Sequence, residues 1–75
     1  MADLTDPSTL SDIFTYHPPK DGQVEAYAEL RSAALTFAKA VVRLTPRCAD
    51  QSTAIRKIRE AVMTANAAIA LEGRV

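Results

Sequence analysis

Arg31 is the residue of this chain most suited to chemistry, because a guanidinium set in an otherwise apolar helical stripe is costly to bury unless an anion meets it. The stripe is Val24, Ala28, Leu35, Ala38 and Val42, and Arg31 is the position that completes its spacing of 4, 3, 4, 3 and 4. Ahead of it, Tyr16 sits in a proline-containing segment. An aromatic ring with an arginine is the physical means of holding a nucleobase and a phosphate. Two readings of the pair stand: Tyr16 stacks on a base while Arg31 meets phosphate, or Tyr16 packs the segment onto the helices while Arg31 pairs with Glu25, Glu29 or an acid of another subunit. Asn66, a polar residue in the least polar stretch of the chain, either fixes helix register or contacts a ligand.

Other chemistry is poorly provided for. His17 is the single histidine and Cys48 the single cysteine, so a zinc site within one chain lacks ligands and an internal disulfide is impossible. No carboxylates form an evident acid–base pair, the serines follow no nucleophile motif, and Gly22 and Gly73 are the only glycines, so there is no phosphate-cradling loop. These features disfavour an enzyme and lead us to expect no metal and no cofactor. Cys48 reads as a neutral or capping residue of the interhelical turn.

Formal charge is zero, which argues against broad binding to duplex DNA, yet the charge is segregated. Residues 1–30 carry six acids and only Lys20, while residues 31–59 carry seven bases against Asp50 alone. Such asymmetry lets the head of one subunit meet the body of another, or surrounds a small anionic ligand; the plain alternative is a solvated mixture of charges. No apolar run approaches the roughly 20 residues that span a bilayer, and the N-terminus is acidic and polar. A soluble, unexported protein with no membrane partner is expected.

The elements that position these residues are two helices. Gln23 to Thr45 contains neither Pro nor Gly, and Tyr27, Leu30, Ala34, Phe37, Val41 and Leu44 recur at 3, 4, 3, 4 and 3, the seam of a helix packed along a partner. Thr45-Pro46-Arg47-Cys48 breaks the pattern. A second helix runs from about residue 49 to 72, ending at Gly73, with the seam Ile55, Ile58, Val62, Ala65 and Ile69. So short a link folds the helices back antiparallel. Residues 1–12 are expected to be flexible or to form a short helical turn around Pro7–Phe14. The segment from Phe14 to Gly22, with Pro18, Pro19 and an Asp-Gly turn, is expected to be an extended elbow. Residues 13–75 then make one hairpin domain, an all-α fold.

Seventy-five residues give a thin core. With disulfide and metal excluded, self-association is the remaining supplement. The second stripe on the first helix and the alanines 54, 61, 67, 68 and 70 on the second favour a subunit interface, although high helix propensity alone also accounts for alanine.

The pattern Phe14-x-Tyr16-His17-Pro18-x-Lys20-x-x-Gln23-x-x-x-Tyr27-x-x-Leu30-Arg31-x-Ala33-Ala34, with the ending Met63-x-Ala65-Asn66-Ala67-Ala68-Ile69-Ala70, resembles the phage anti-CBASS protein two family, whose hairpin is shared with a class of anti-Thoeris sponges. The resemblance covers about residues 13–72. It implies a homohexamer in the host bacterial cytoplasm that sequesters cyclic dinucleotide, and in some members cyclic trinucleotide, second messengers without cleaving them. It further implies a pocket between subunits in which Tyr16 and Arg31 are the matching contacts, with Pro18, Pro19 and Lys20 shaping a lid. Arg74 is the basic residue placed to serve a separate trinucleotide site. The chain departs from the family in carrying arginine where lysine is frequent, which keeps the charge and adds a planar fork, and Met63-Thr64 where methionine-tryptophan is common. The alternative reading is a small helical adaptor that docks a partner helix.

Overall fold

A computed structural model describes residues 3–74; residues 1, 2 and 75 of the expected terminal segments lie outside it. Three helices follow one another: α1 (Pro7–Ile13), α2 (Gln23–Leu44) and α3 (Ala49–Ala70). At ~1.5 Å per residue, α2 and α3 are each about 33 Å long, and they pack on each other as an antiparallel hairpin.

Local chemistry sets every boundary. Asp6 caps α1 by accepting from the Ser8 amide at 2.8 Å, and Pro7 occupies the first turn, where its missing N–H costs nothing. This cap extends the expected single turn to nearly two. Gly22, at φ +81°, stands in the turn closed by the Gln23 amide on the Lys20 carbonyl at 3.0 Å, a left-handed position that glycine adopts without strain. Pro46 ends α2 one residue after its C-cap, Thr45, and Gln51 bridges the link by donating to the Thr45 carbonyl at 3.2 Å.

The C-terminus of α3 closes in a Schellman motif: Gly73 N–H donates to the Ala68 carbonyl and Glu72 N–H to that of Ile69, both at 3.1 Å. Its left-handed first position is held by Glu72, at φ 53°, where glycine is the usual occupant. A side chain there costs roughly 1 kcal/mol, so the motif keeps this carboxylate at a local expense.

The hairpin seam on α3 is the expected one, with Ile55, Ile58, Val62, Ala65 and Ile69 half-buried. On α2 the seam drifts. Tyr27, Leu30, Ala34 and Val41 are half-buried, but Phe37, although it borders the groove toward α3, is 59% exposed, and Leu44 is 73% exposed. A straight helix turns about 20° per heptad away from a strict seven-residue repeat, so a seam extrapolated at 3 and 4 loses its cover toward the last turn.

The core is thin. Leu71, 8% exposed, is the one buried apolar residue among the described residues. The chain exposes 5954 Å², against about 4,500 Å² for a compact monomer of its mass. Its radius of gyration is 15.4 Å, against about 11 Å for a compact domain of this length. Leu71→Ala is expected to destabilise the fold by about 2 kcal/mol, seen as a lower midpoint in a thermal melt followed by circular dichroism.

Candidate functional site

Apolar surface left over by the hairpin is gathered into defined places. Leu30, Ala33, Ala34 and Phe37 of α2 face Ala54, Ile58, Ala61, Val62 and Ala65 of α3 across an open groove of about 570 Å³. On another face of α2, Leu35, Ala38 and Val42 line a second depression rimmed by Lys39 and Arg43. This is the far half of the stripe containing Arg31, and Val24, Leu35 and Val42 are all exposed. Arg31 is itself exposed and makes no ion pair within the chain among the described residues. The Glu25 and Glu29 partners considered for it are therefore not engaged. Asn66 forms no register-fixing bond within the hairpin among the described residues: its Oδ1 is buried and has no hydrogen-bond partner among them.

Tyr16 is 80% exposed, and Phe14 beside it is equally uncovered, so the ring is not packing the elbow onto the helices. Polar ties hold the elbow instead. Arg74 donates to both Asp12 carboxylate oxygens, Nε to Oδ2 at 2.8 Å and Nη2 to Oδ1 at 3.0 Å. His17 Nε2 lies 2.7 Å from the Asp12 carbonyl oxygen. A carbonyl only accepts, so that nitrogen carries the proton. Lys20 Nζ pairs with Glu72 Oε1. Gln23 is used at both ends of its amide, Nε2 donating to the Ile69 carbonyl at 3.1 Å and Oε1 accepting from the Lys20 amide at 2.9 Å.

These bonds form one clasp between the N-terminal segment and the end of α3. Of the candidate site residues, the clasp takes up Lys20 and Arg74, while Tyr16, Pro18 and Arg31 remain exposed and open to a partner. Tyr16 and Arg31 line neither of the two concavities described above. Sequence reasoning missed Asp12 and Glu72. A signal for them existed: Lys20 and Arg74 are the two bases outside the block at 31–59, so each had to find an acid away from it.

The family-model comparison matches the chain to the Acb2/Tad1 hairpin domain over residues 9–70, which takes in most of α1, the elbow and both long helices. The chain belongs to the Acb2/Tad1 hairpin family. This is the family of the anti-CBASS and anti-Thoeris sponges, phage anti-defence proteins, as the elbow and the α3 ending had indicated. No curated protein and no solved structure gives a match. For this hairpin, no helix among the described residues is long and apolar enough to cross a membrane, and no group of His, Cys, Asp and Glu among them is arranged to hold a metal ion.

Electrostatics of the clasp set its pH range. Hydrogen bonding from Arg74, with its charge and that of His17, holds the Asp12 carboxyl below the usual carboxylate range. Lys20 does the same for Glu72. Carboxyls depressed in the folded state stabilise it above their unfolded value of about 4 and lose that contribution as pH falls through the folded value. The melting midpoint of Asp12→Asn is thus expected to lie below that of the wild type by a constant margin near neutrality, and the margin should close on acidification below pH 4. A margin that persists into strong acid contradicts an ionised Asp12 as the source.

Proposed function

We propose that this protein is a sponge for cyclic oligonucleotide second messengers, acting in the cytoplasm of an infected bacterium and releasing its ligand chemically unchanged. Membership of the hairpin family over residues 9–70 carries the reading. In it, Tyr16 stacks on a nucleobase, Arg31 meets a phosphate through its planar fork, and Pro18, Pro19 and Lys20 form the lid.

The ligand cavity lies where copies of the chain meet. Three observations support this placement. Tyr16 and Arg31 stand exposed on a single chain, with no wall around either. The groove between α2 and α3 and the Leu35–Val42 depression leave apolar surface that a hairpin alone does not cover. Asn66 Oδ1 is an acceptor buried without a donor, a situation that costs about 1–3 kcal/mol and that a donor from another copy relieves. A cyclic dinucleotide, with two phosphates and two bases, suits a twofold interface where each of two chains supplies one Tyr16 and one Arg31. A homohexamer is the assembly we propose, as the resemblance implies. A cyclic trinucleotide is the second ligand class, with Arg74 as its basic contact. There a phosphate must displace the Asp12 carboxylate, so that site fills in competition with the ion pair.

Turnover is not part of this reading. The groups that would activate water or stabilise a leaving group are not assembled around Tyr16 or Arg31, and sequestration requires none of them.

Titration calorimetry with a panel of cyclic di- and trinucleotides, paired with native mass spectrometry, tests the function directly. Binding at a fixed number of ligands per assembly is expected, with all ligand recovered intact after denaturation; linear products would overturn the sponge. Tyr16→Ala should weaken dinucleotide binding by roughly 1–3 kcal/mol, the worth of one stacked base, and Arg31→Ala should weaken it and reduce its salt dependence. A flat response across the panel, with assembly intact, favours the adaptor reading that the uncovered groove also permits.

A further inference from the structure

Asp12 and Lys20 are eight residues apart in sequence, yet their partners at the end of α3, Arg74 and Glu72, are two apart. The segment between them is therefore a loop with both feet tied to one short stretch of chain. Tyr16 lies midway along it, and neither Tyr16 nor Phe14 is buried against the hairpin. Within the chain, polar bonds at the feet are what set the place of that ring: the two ion pairs, the His17 bond to the Asp12 carbonyl and the Gln23 bond to the Ile69 carbonyl.

Glu72 strengthens the inference. It keeps a left-handed backbone that disfavours any side chain except glycine's hydrogen, and the side chain so retained reaches Lys20 across 52 residues of sequence. The planar Arg74–Asp12 pair adds direction, since two parallel hydrogen bonds fix orientation where a single contact does not. A loop carrying an exposed aromatic ring loses less freedom on binding if it is already held.

We propose that the Asp12–Arg74 and Lys20–Glu72 pairs position Tyr16 for the ligand, making Asp12 and Glu72 positioning residues of a site that neither of them touches. The proposal rests on the sponge reading for its ligand and on the clasp geometry for everything else. The cyclic dinucleotide meets a preorganised ring, and the C-terminal Glu72-Gly73-Arg74 stretch thereby becomes part of the binding apparatus at a distance.

Tyr16 and Tyr27 are the two tyrosines and there is no tryptophan, so a Tyr27→Phe chain reports Tyr16 fluorescence alone. In that background, Asp12→Asn combined with Glu72→Gln is expected to lower Tyr16 anisotropy while far-UV circular dichroism keeps its helical signal. The same pair of changes should weaken cyclic dinucleotide binding roughly tenfold, while Asp12→Glu and Glu72→Asp, which keep the charges, retain most of the affinity. In a Tyr16→Ala chain, breaking the clasp should cost no further affinity, because the lost order acts through that ring. Unchanged anisotropy, or an equal loss of affinity with and without Tyr16, overturns the proposal. A wild-type chain that binds no ring nucleotide instead sinks the sponge reading, and the anisotropy then decides by itself whether the clasp holds Tyr16.

Discussion

A helix pair covers one stripe on each member, and this chain carries more apolar stripe than that. The excess follows from arithmetic on the helix surface: α2 bears a seam toward α3 and a second line through Val24, Leu35 and Val42 beside it, while the alanine-rich flank of α3 leaves the groove between them open and shallow. Hydrophobic burial scales with area removed from water, at about 25 cal/mol per Å², so a chain exposing this much more surface than a compact monomer gives up stabilisation that the proposed contact between copies would restore. The proposed ligand site inherits the same geometry. Tyr16 and Arg31 lie outside the groove between the helices, as outward-facing residues with no facing surface in a single chain.

Against this sparse apolar core, polar bonds take on an organising role. Exposed ion pairs individually contribute little, and the two ion pairs of the clasp are exposed. Its effect is orientational rather than cohesive: it selects one placement for a proline-containing segment that has no apolar anchor. The left-handed Glu72 shows the same preference in the backbone, where a less favourable helix end is kept together with the carboxylate it presents.

The helices and their ends were legible in the sequence because each is punctuated by residues with one dominant conformational consequence, Gly22 before α2, Pro46 after it and Gly73 beyond α3. The seam of α3 was legible for the same local reason. Phe37 is less covered than its seam position suggests and Leu44 is uncovered, because a 3-and-4 alternation, continued long enough, diverges from the true period of a straight helix. The clasp was not legible from periodicity at all, since it depends on charges that meet across 52 and 62 residues, and only the isolation of Lys20 and Arg74 from the basic block hinted at it. The family motif marked Tyr16 and Arg31 through the elbow pattern, while nothing local in the sequence revealed that Asn66 Oδ1 is left without a donor.

The clasp joins segments on either side of the hairpin, and this imposes an order in time. The hairpin can zip outward from the Thr45–Cys48 turn using near neighbours, whereas the bond between Asp12 and Arg74 closes a loop across 62 residues of sequence and is entropically the most expensive to form early. During synthesis Arg74 leaves the ribosome only after both long helices have been made. A nascent hairpin thus has an unanchored elbow until Glu72 and Arg74 have emerged, so the clasp closes only after α2 and α3 are in place.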